Sequence, residues 1–276
     1  MKPPKGNSLG GLVSTLACGL LLAACVAPRN ITPPATGNLH LSYAMPEAHG
    51  EQIPYRVYLP SNWSAQRSWP LVVILHGYSG TADSPFDDAK GKLEQEAERH
   101  GFVLVAPNGY NGMADYGANL PLPGVLTRPG KPTVLSAEAE SALAEADVLH
   151  VLSEVRSAYH IDPAKIYLMG NSMGMTGVLH FASTTPRTWC AISPSDGPPW
   201  PNYPVERMKP IAGALFVHGG RDNLAKVADT QELADRAKAA GVNAWMHVVP
   251  EGLHETAWIE YLPETFAFFA RTSCNR

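Results

Sequence analysis

The sequence has little charge. Asp, Glu, Lys and Arg make up 17% of its 276 residues, against roughly a quarter in ordinary soluble domains. The 21 basic residues are outnumbered by 25 acidic ones, for a net charge of −4. A chain without a basic field lacks what nucleic acid requires, so that class of partner is excluded. Cysteine is also scarce. Four are present, and with Cys18 and Cys25 close to the N-terminus only Cys190 and Cys274 remain in the main body. Two cysteines make no disulfide framework; an oxidising compartment would let them pair, and the sequence leaves that open. No long transmembrane run is present either: the apolar stretch over residues 9–24 has roughly 16 residues where about 20 are needed. There is no internal repeat and no second domain boundary, and a chain of this length at 45% hydrophobic residues fits one large domain.

What is present begins with the N-terminus. Lys2 and Lys5 precede the apolar stretch, which reads as an export signal. Its end, Leu22-Ala23-Ala24-Cys25, resembles the bacterial lipobox, and the resemblance implies cleavage before Cys25 and a lipid on its sulfur. Cys18 fits less well, with Thr15 where a branched aliphatic residue is wanted. The expected organisation is a signal over residues 1–24, a proline-rich extended tether over 25–37 and a folded domain over 38–276. The chain is thus expected to be exported and held to a membrane through lipid alone. Val26 after the cysteine, by resemblance to lipoprotein sorting, points to the outer membrane or cell surface. Oligomeric state is not legible.

From residue 39 onward short apolar runs alternate with longer helical patterns. This is the rhythm of an α/β fold, a mostly parallel sheet of about eight strands covered by helices on both faces. Strands are expected at 39–44, 55–59, 71–75, 103–106, 166–169, 191–193, 214–217 and 244–248. Helices are expected near 88–100, 137–159, 173–184, 227–240 and 256–270. The second helix is the clearest, with Ala144, Val148, Val151, Leu152 and Val155 on one stripe and Glu138, Glu145 and Glu154 off it. Segments 108–132 and 195–210 are long, rich in Gly, Pro, Asn and aromatic residues, and expected to be functional loops.

Gly170-Asn171-Ser172-Met173-Gly174 fits G-x-S-x-G. The pattern gains weight from its place between a strand and a helix, where it forms a nucleophile elbow with Ser172 at the tip. A serine hydroxyl is a weak nucleophile and needs a base, which in turn needs an orienting acid. His254, just after the last strand, fits the base. His247 lies inside a strand pattern that suits a packed histidine, and His218 beside Gly219 suits a turn support. The acid is Asp222 or Asp196, each at the carboxyl end of a strand; Asp196 beside Gly197 also reads as a turn aspartate. The anion formed on the attacked carbonyl needs fixed donors. The Met173 backbone N–H is one candidate and the Tyr78 N–H, after Leu75-His76-Gly77, the other, with His76 as a scaffold hydrogen-bonder.

These segments together, with Trp69–Tyr78 and the block from Ala144 to Gly174, resemble secreted serine esterases of the polyhydroxybutyrate-depolymerase-like and feruloyl-esterase-like group, neighbours of the prolyl-oligopeptidase-like hydrolases. The resemblance spans most of residues 55–269. It implies an α/β-hydrolase fold and a carboxylic ester hydrolase working through a Ser172–His254–Asp222 triad and an acyl-enzyme, with no cofactor and no metal. Substrates would be small or polymeric esters of aromatic (feruloyl-type) or hydroxyalkanoate acids. Tyr78, Tyr110, Tyr116, Trp200, Tyr203 and Trp258 lie on or near the expected mouth-forming segments and are candidate contacts. Two positions depart from the pattern: Asn171 replaces a histidine or glutamine, and Met175 stands where a second glycine is usual. The alternatives are a serine peptidase, for which the length leaves no gating domain, and a catalytically silent binding lipoprotein, against which the full set of triad and oxyanion segments argues.

Overall fold

A computed structural model of the chain describes residues 36–118, 135–198 and 202–274. In chain order its regular elements are β1 (Gly37–Met45), β2 (Glu51–Leu59), β3 (Trp69–Leu75), α1 (Ser84–Ala89), α2 (Lys92–His100), β4 (Val103–Pro107), α3 (Ala137–Ala158), β5 (Ile161–Asn171), α4 (Met173–Thr184), β6 (Ala191–Ser195), β7 (Gly213–Gly219), α5 (Val227–Ala239), β8 (Ala244–Val249), α6 (Ala257–Glu260) and α7 (Leu262–Arg271). The strands form one sheet in the order β1-β2-β4-β3-β5-β6-β7-β8. β1 pairs with β2 and β2 with β4 antiparallel, and every pairing from β4 through β8 is parallel.

The sheet separates two cores, because successive side chains of a strand face opposite ways. Leu71, Val73 and Leu75 of β3 pack on one face with Val148 and Val151 of α3 and Val178 and Phe181 of α4. Val72 and Ile74 pack on the other with Phe86 of α1, Leu93 of α2, Trp258 of α6 and Phe266 and Phe269 of α7. The alternating signal in β1, partly buried and exposed by turns, marks it as the edge strand. The expected stripe on α3 is buried, Ala144, Val148, Val151 and Val155 completely and Leu152 nearly so. Each of its larger members contributes about 1.5–3 kcal/mol by leaving water.

Two expected helices are divided. The one near 88–100 is α1 and α2, broken where Lys90 and Gly91 both take positive φ, 49° and 85°. The one near 256–270 is α6 and α7, broken at Tyr261; Pro263 opens α7, where a missing N–H goes unfelt. The segment from 108 to 118 is tied down by polar groups that face inward. Tyr43 donates to Asp147 Oδ1 at 2.8 Å, the Tyr110 N–H donates to its Oδ2 at 3.1 Å, and Ser141 donates to Asp115 Oδ1 at 2.7 Å. Burial pushes the Asp147 carboxyl up to about 6 despite these donors. Cys190, where β6 begins, is bonded to Cys274 beyond α7 with Cα atoms 5.5 Å apart, which closes the question the sequence leaves open. The first described strand begins at Gly37. Among the described residues no helix is long and apolar enough to cross a membrane. Cys25 and the segments expected to be an export signal and most of a tether lie outside them.

Candidate active site

Ser172 sits between β5 and α4 with φ 58° and ψ −119°, a conformation that a non-glycine residue holds only when its surroundings force it. The forcing groups are local. The Ser172 N–H donates to Ser195 O and the Met175 N–H to Ser172 O, both at 2.9 Å. The turn is tight enough that a methyl on Gly170 would stand 2.6 Å from Gly174 O, and one on Gly174 would overlap Leu75 O. Met175, unexpected in the motif, finds its room at Gly197: its sulfur accepts the Gly197 N–H at 3.2 Å, and a side chain at 197 would collide with it. Asn171 also has a partner, since its amide donates to His254 O at 3.2 Å and ties the elbow to the histidine's loop.

That loop follows β8, and the adjacent strand β7 leads to Asp222. Ser172 Oγ and His254 Nε2 are 2.8 Å apart, and His254 Nδ1 and Asp222 Oδ2 are 2.8 Å apart. Asp222 Oδ1 accepts the Leu224 and Ala225 N–H groups at 2.7 and 2.9 Å. Burial works to raise the Asp222 carboxyl, but the Ala225, His254 and Leu224 hydrogen bonds outweigh it and hold the group below its ordinary value. Asp196 is different. It is completely buried, its Oδ1 accepts the Gly219 N–H at 2.6 Å, and its Oδ2 has no hydrogen-bond partner. Burial first, and then the Asp222 charge, push its carboxyl up to about 8, with only the Gly219 bond opposing. His247, expected as a packed core residue, is half-buried on β8 with its ring stacked on Tyr261, centroids 3.9 Å apart.

A cleft of about 420 Å³ opens over Ser172 and His254 and is also lined by Tyr78, Asp88, Asn171, Leu224, Glu255 and Trp258. Its wall on the β3 side carries the expected donor segment. The point a methyl on Gly77 would occupy is 3.5 Å from Ser172 Cβ, so the backbone entering Tyr78 runs beside the serine. Met173 is the first residue of α4, where N–H groups have no partner inside the helix. His76 makes scaffold contacts only, Nδ1 to Gly77 O at 2.7 Å and Nε2 to Asn108 O at 2.9 Å. Of the aromatic candidates, Trp258 and Tyr78 line the cleft. Tyr110, Tyr116 and Tyr203 do not, which corrects their place as substrate contacts. Tyr110 is packed near Met45 and Ala144, Tyr116 is a core residue whose hydroxyl donates to His76 O at 3.1 Å, and Tyr203 is a core residue whose hydroxyl donates to Leu179 O at 2.6 Å. Trp200 lies outside the described residues. Asp88 and Glu255 carry no motif and were missed; only the fold brings them to the cleft.

Among the described residues one group has the makings of a metal site, Asp196, His218 and Asp222, with donor atoms within 4.8 Å of one another. The donors do not suit it. Asp196 is held neutral, Asp222 Oδ2 is already taken by His254 at 2.8 Å, and His218 is engaged on both nitrogens, by Thr230 and Ala225.

A mostly parallel eight-stranded sheet with helices on both faces and a serine at a strained strand-to-helix elbow defines an α/β-hydrolase of the serine-hydrolase class. The model of the Esterase family matches residues 47–209, more than half of the chain, and the protein belongs to that family. The match takes in Ser172 and ends before Asp222 and His254. The bifunctional acetylxylan esterase/xylanase XynS20E of Neocallimastix patriciarum is 26% identical over 169 residues, 61% of this chain and 21% of that protein, so the chain spans about a fifth of its relative. Among solved structures, the feruloyl esterase module from Clostridium thermocellum, complexed with sinapinate, superposes with a TM-score of 0.66 at 14% identity, covering 88% of this chain and 91% of that one. The fluorophosphonate-binding serine hydrolase FphF of Staphylococcus aureus does so at 0.64 and 16%, covering 86% and 100%.

Proposed function

We propose that the protein hydrolyses carboxylic esters through Ser172, His254 and Asp222 by way of an acyl-enzyme. The observation that carries this is the unbroken hydrogen-bonded series from Ser172 Oγ through His254 to Asp222 Oδ2 at the floor of an open cleft. His254 Nε2 takes the serine proton as Oγ attacks the acyl carbon, and the resulting oxyanion is met by the Met173 and Tyr78 N–H groups. The proton then passes from His254 to the departing alcohol oxygen. Water, deprotonated by the same nitrogen, attacks the acyl carbon and releases the acid and the free serine. Each transfer closes with groups of the chain and water, and no cofactor is called for.

Trp258 and the half-exposed Tyr78 suit an aromatic or hydroxyalkanoate acyl group. Asp88 and Glu255, with no Lys or Arg among the described lining residues, disfavour an anionic one. The test is a panel of short-acyl, feruloyl and hydroxyalkanoate esters, each with a carboxylate-bearing counterpart. Neutral members should turn over, with kcat/KM about five- to tenfold above their anionic counterparts at low salt, and Ser172→Ala should abolish turnover. Equal turnover by Ser172→Ala would refute the assignment. We further propose export and anchoring through lipid on Cys25, which the Cys190–Cys274 disulfide supports because such bonds persist in oxidising compartments. Cys25→Ser should stop incorporation of labelled palmitate and Cys18→Ser should not; the reverse result would mean that the cleavage site has been misplaced.

A further inference from the structure

Two imidazoles, not one, meet the carboxylate that orients His254. Asp222 Oδ2 lies 2.8 Å from His254 Nδ1 and 3.2 Å from Nε2 of His218, a completely buried residue near the end of β7. The hydrogen-bond partners of His218 determine where its proton sits. Nε2 faces Asp222 Oδ2 and, at 3.4 Å, Ala225 O, and an ionised carboxylate and a carbonyl can only accept. Nδ1 faces the Thr230 hydroxyl at 2.9 Å, which can donate. Burial keeps the ring from charging, against the pull of Asp222. A neutral ring has one N–H, and only Nε2–H with a bare Nδ1 satisfies every partner.

Resting on the triad reading above, we propose that His218 is a positioning residue for the hydrolytic site: its Nε2–H holds the carbonyl of Ala225, whose own N–H holds Asp222 Oδ1, and stands 3.2 Å from Oδ2, and Thr230 on α5 fixes the tautomer that allows it. A carboxylate offers about four lone-pair sites. Leu224, Ala225 and His254 hydrogen-bond to three of them, and the N–H edge of His218 stands beside Oδ2. With the turn from Asp222 to Ala225 pinned through Ala225 O, the carboxylate is kept in place for His254, and its charge faces two rings. Without His218 all of that charge acts on His254 and favours its protonated form, which moves the acid limb of the rate profile to higher pH. The other ionisable groups around the cluster are Asp196 at the end of β6, Asp229 on α5, Glu255 beside His254 and Glu260 on α6. None of them hydrogen-bonds Asp222 in place of the lost donor.

The experiment compares kcat, KM and the pH dependence of kcat for the wild type, His218→Phe and His218→Gln. For His218→Phe, kcat should fall about tenfold with KM nearly unchanged, and the acid limb should rise by about half a pH unit. His218→Gln, whose amide N–H reaches the Nε2 position, should recover most of the rate and return the limb to its wild-type place. A folded His218→Phe with wild-type rate and limb would overturn the proposal. So would a loss that glutamine does not recover, since that marks simple packing. Should the phenylalanine variant fail to fold, long-range ¹H–¹⁵N correlations on histidine-labelled wild-type protein decide: a neutral His218 protonated on Nε2 supports the proposal, and protonation on Nδ1 or on both nitrogens overturns it. Failure of the triad reading itself has a separate sign, full activity in Ser172→Ala, which involves no His218 variant.

Discussion

At the scale of single residues, two aspartates of the same sequence context end in opposite states. Asp222 is ionised because three donors hold it, whereas Asp196 is kept neutral because burial leaves its Oδ2 with no partner. Asp222→Asn should therefore lose at least about a hundredfold in kcat, through the wrong histidine tautomer. Asp196→Asn should lose less than about tenfold, since it touches neither His254 nor the cleft. The same pair predicts a pH effect. A carboxyl raised to about 8 in the folded protein binds a proton that the unfolded chain gives up near pH 4. Its contribution to stability is complete below that value and is lost as pH rises toward 8. Thermal melts of Asp196→Asn should match the wild type near pH 4 and lie above it at pH 8–9; a variant less stable than the wild type at pH 9 would refute the neutral state. The sequence offered both acids at strand ends and could not rank them by geometry, because pairing of β7 with β8 is a tertiary fact. His218 and Asn171 were visible as letters, but their partners Asp222 and His254 come from a neighbouring turn and a distant loop.

At the scale of elements, the elbow was legible because its demands are local: small residues before and after the serine, a strand behind and a helix ahead. The eight strands were legible for the same reason, each being an apolar run with turn residues at its ends. Helix breaks were less so, since Lys90 gives no warning of its positive φ and Pro263 inside an apolar pattern signals either a kink or a new start. Least legible was the inward placement of two tyrosines. Tyr110 and Tyr203 look like rim aromatics until backbone contacts to Asp147 and Arg236 show them turned toward the interior. The close packing of β3 on α4 yields a sharp expectation. Gly174→Ala places a methyl against Leu75 O and 3.0 Å from His76 O, and backbone on both sides cannot yield as a side chain would. It should destabilise the fold by about 2–3 kcal/mol in urea titration. A loss under half a kcal/mol would mean that the elbow is looser than described.

At the scale of the whole molecule, the C-terminal helices lie against one sheet face, and the Cys190–Cys274 bond fixes the end of the chain to the start of β6 across 84 residues. A closure of that length contributes about 2–4 kcal/mol. Reduction should lower the melting temperature by roughly 5–10 °C, and an unchanged melt would contradict the bond. Under the proposed mechanism hydrolysis turns on Ser172 Oγ, and the most direct measurement of this is peptide mapping by mass spectrometry after reaction with a fluorophosphonate. One adduct is expected, on the peptide containing Ser172, absent from Ser172→Ala and formed more slowly by Asp222→Asn. An adduct on any other serine, or undiminished labelling of Ser172→Ala, would contradict it.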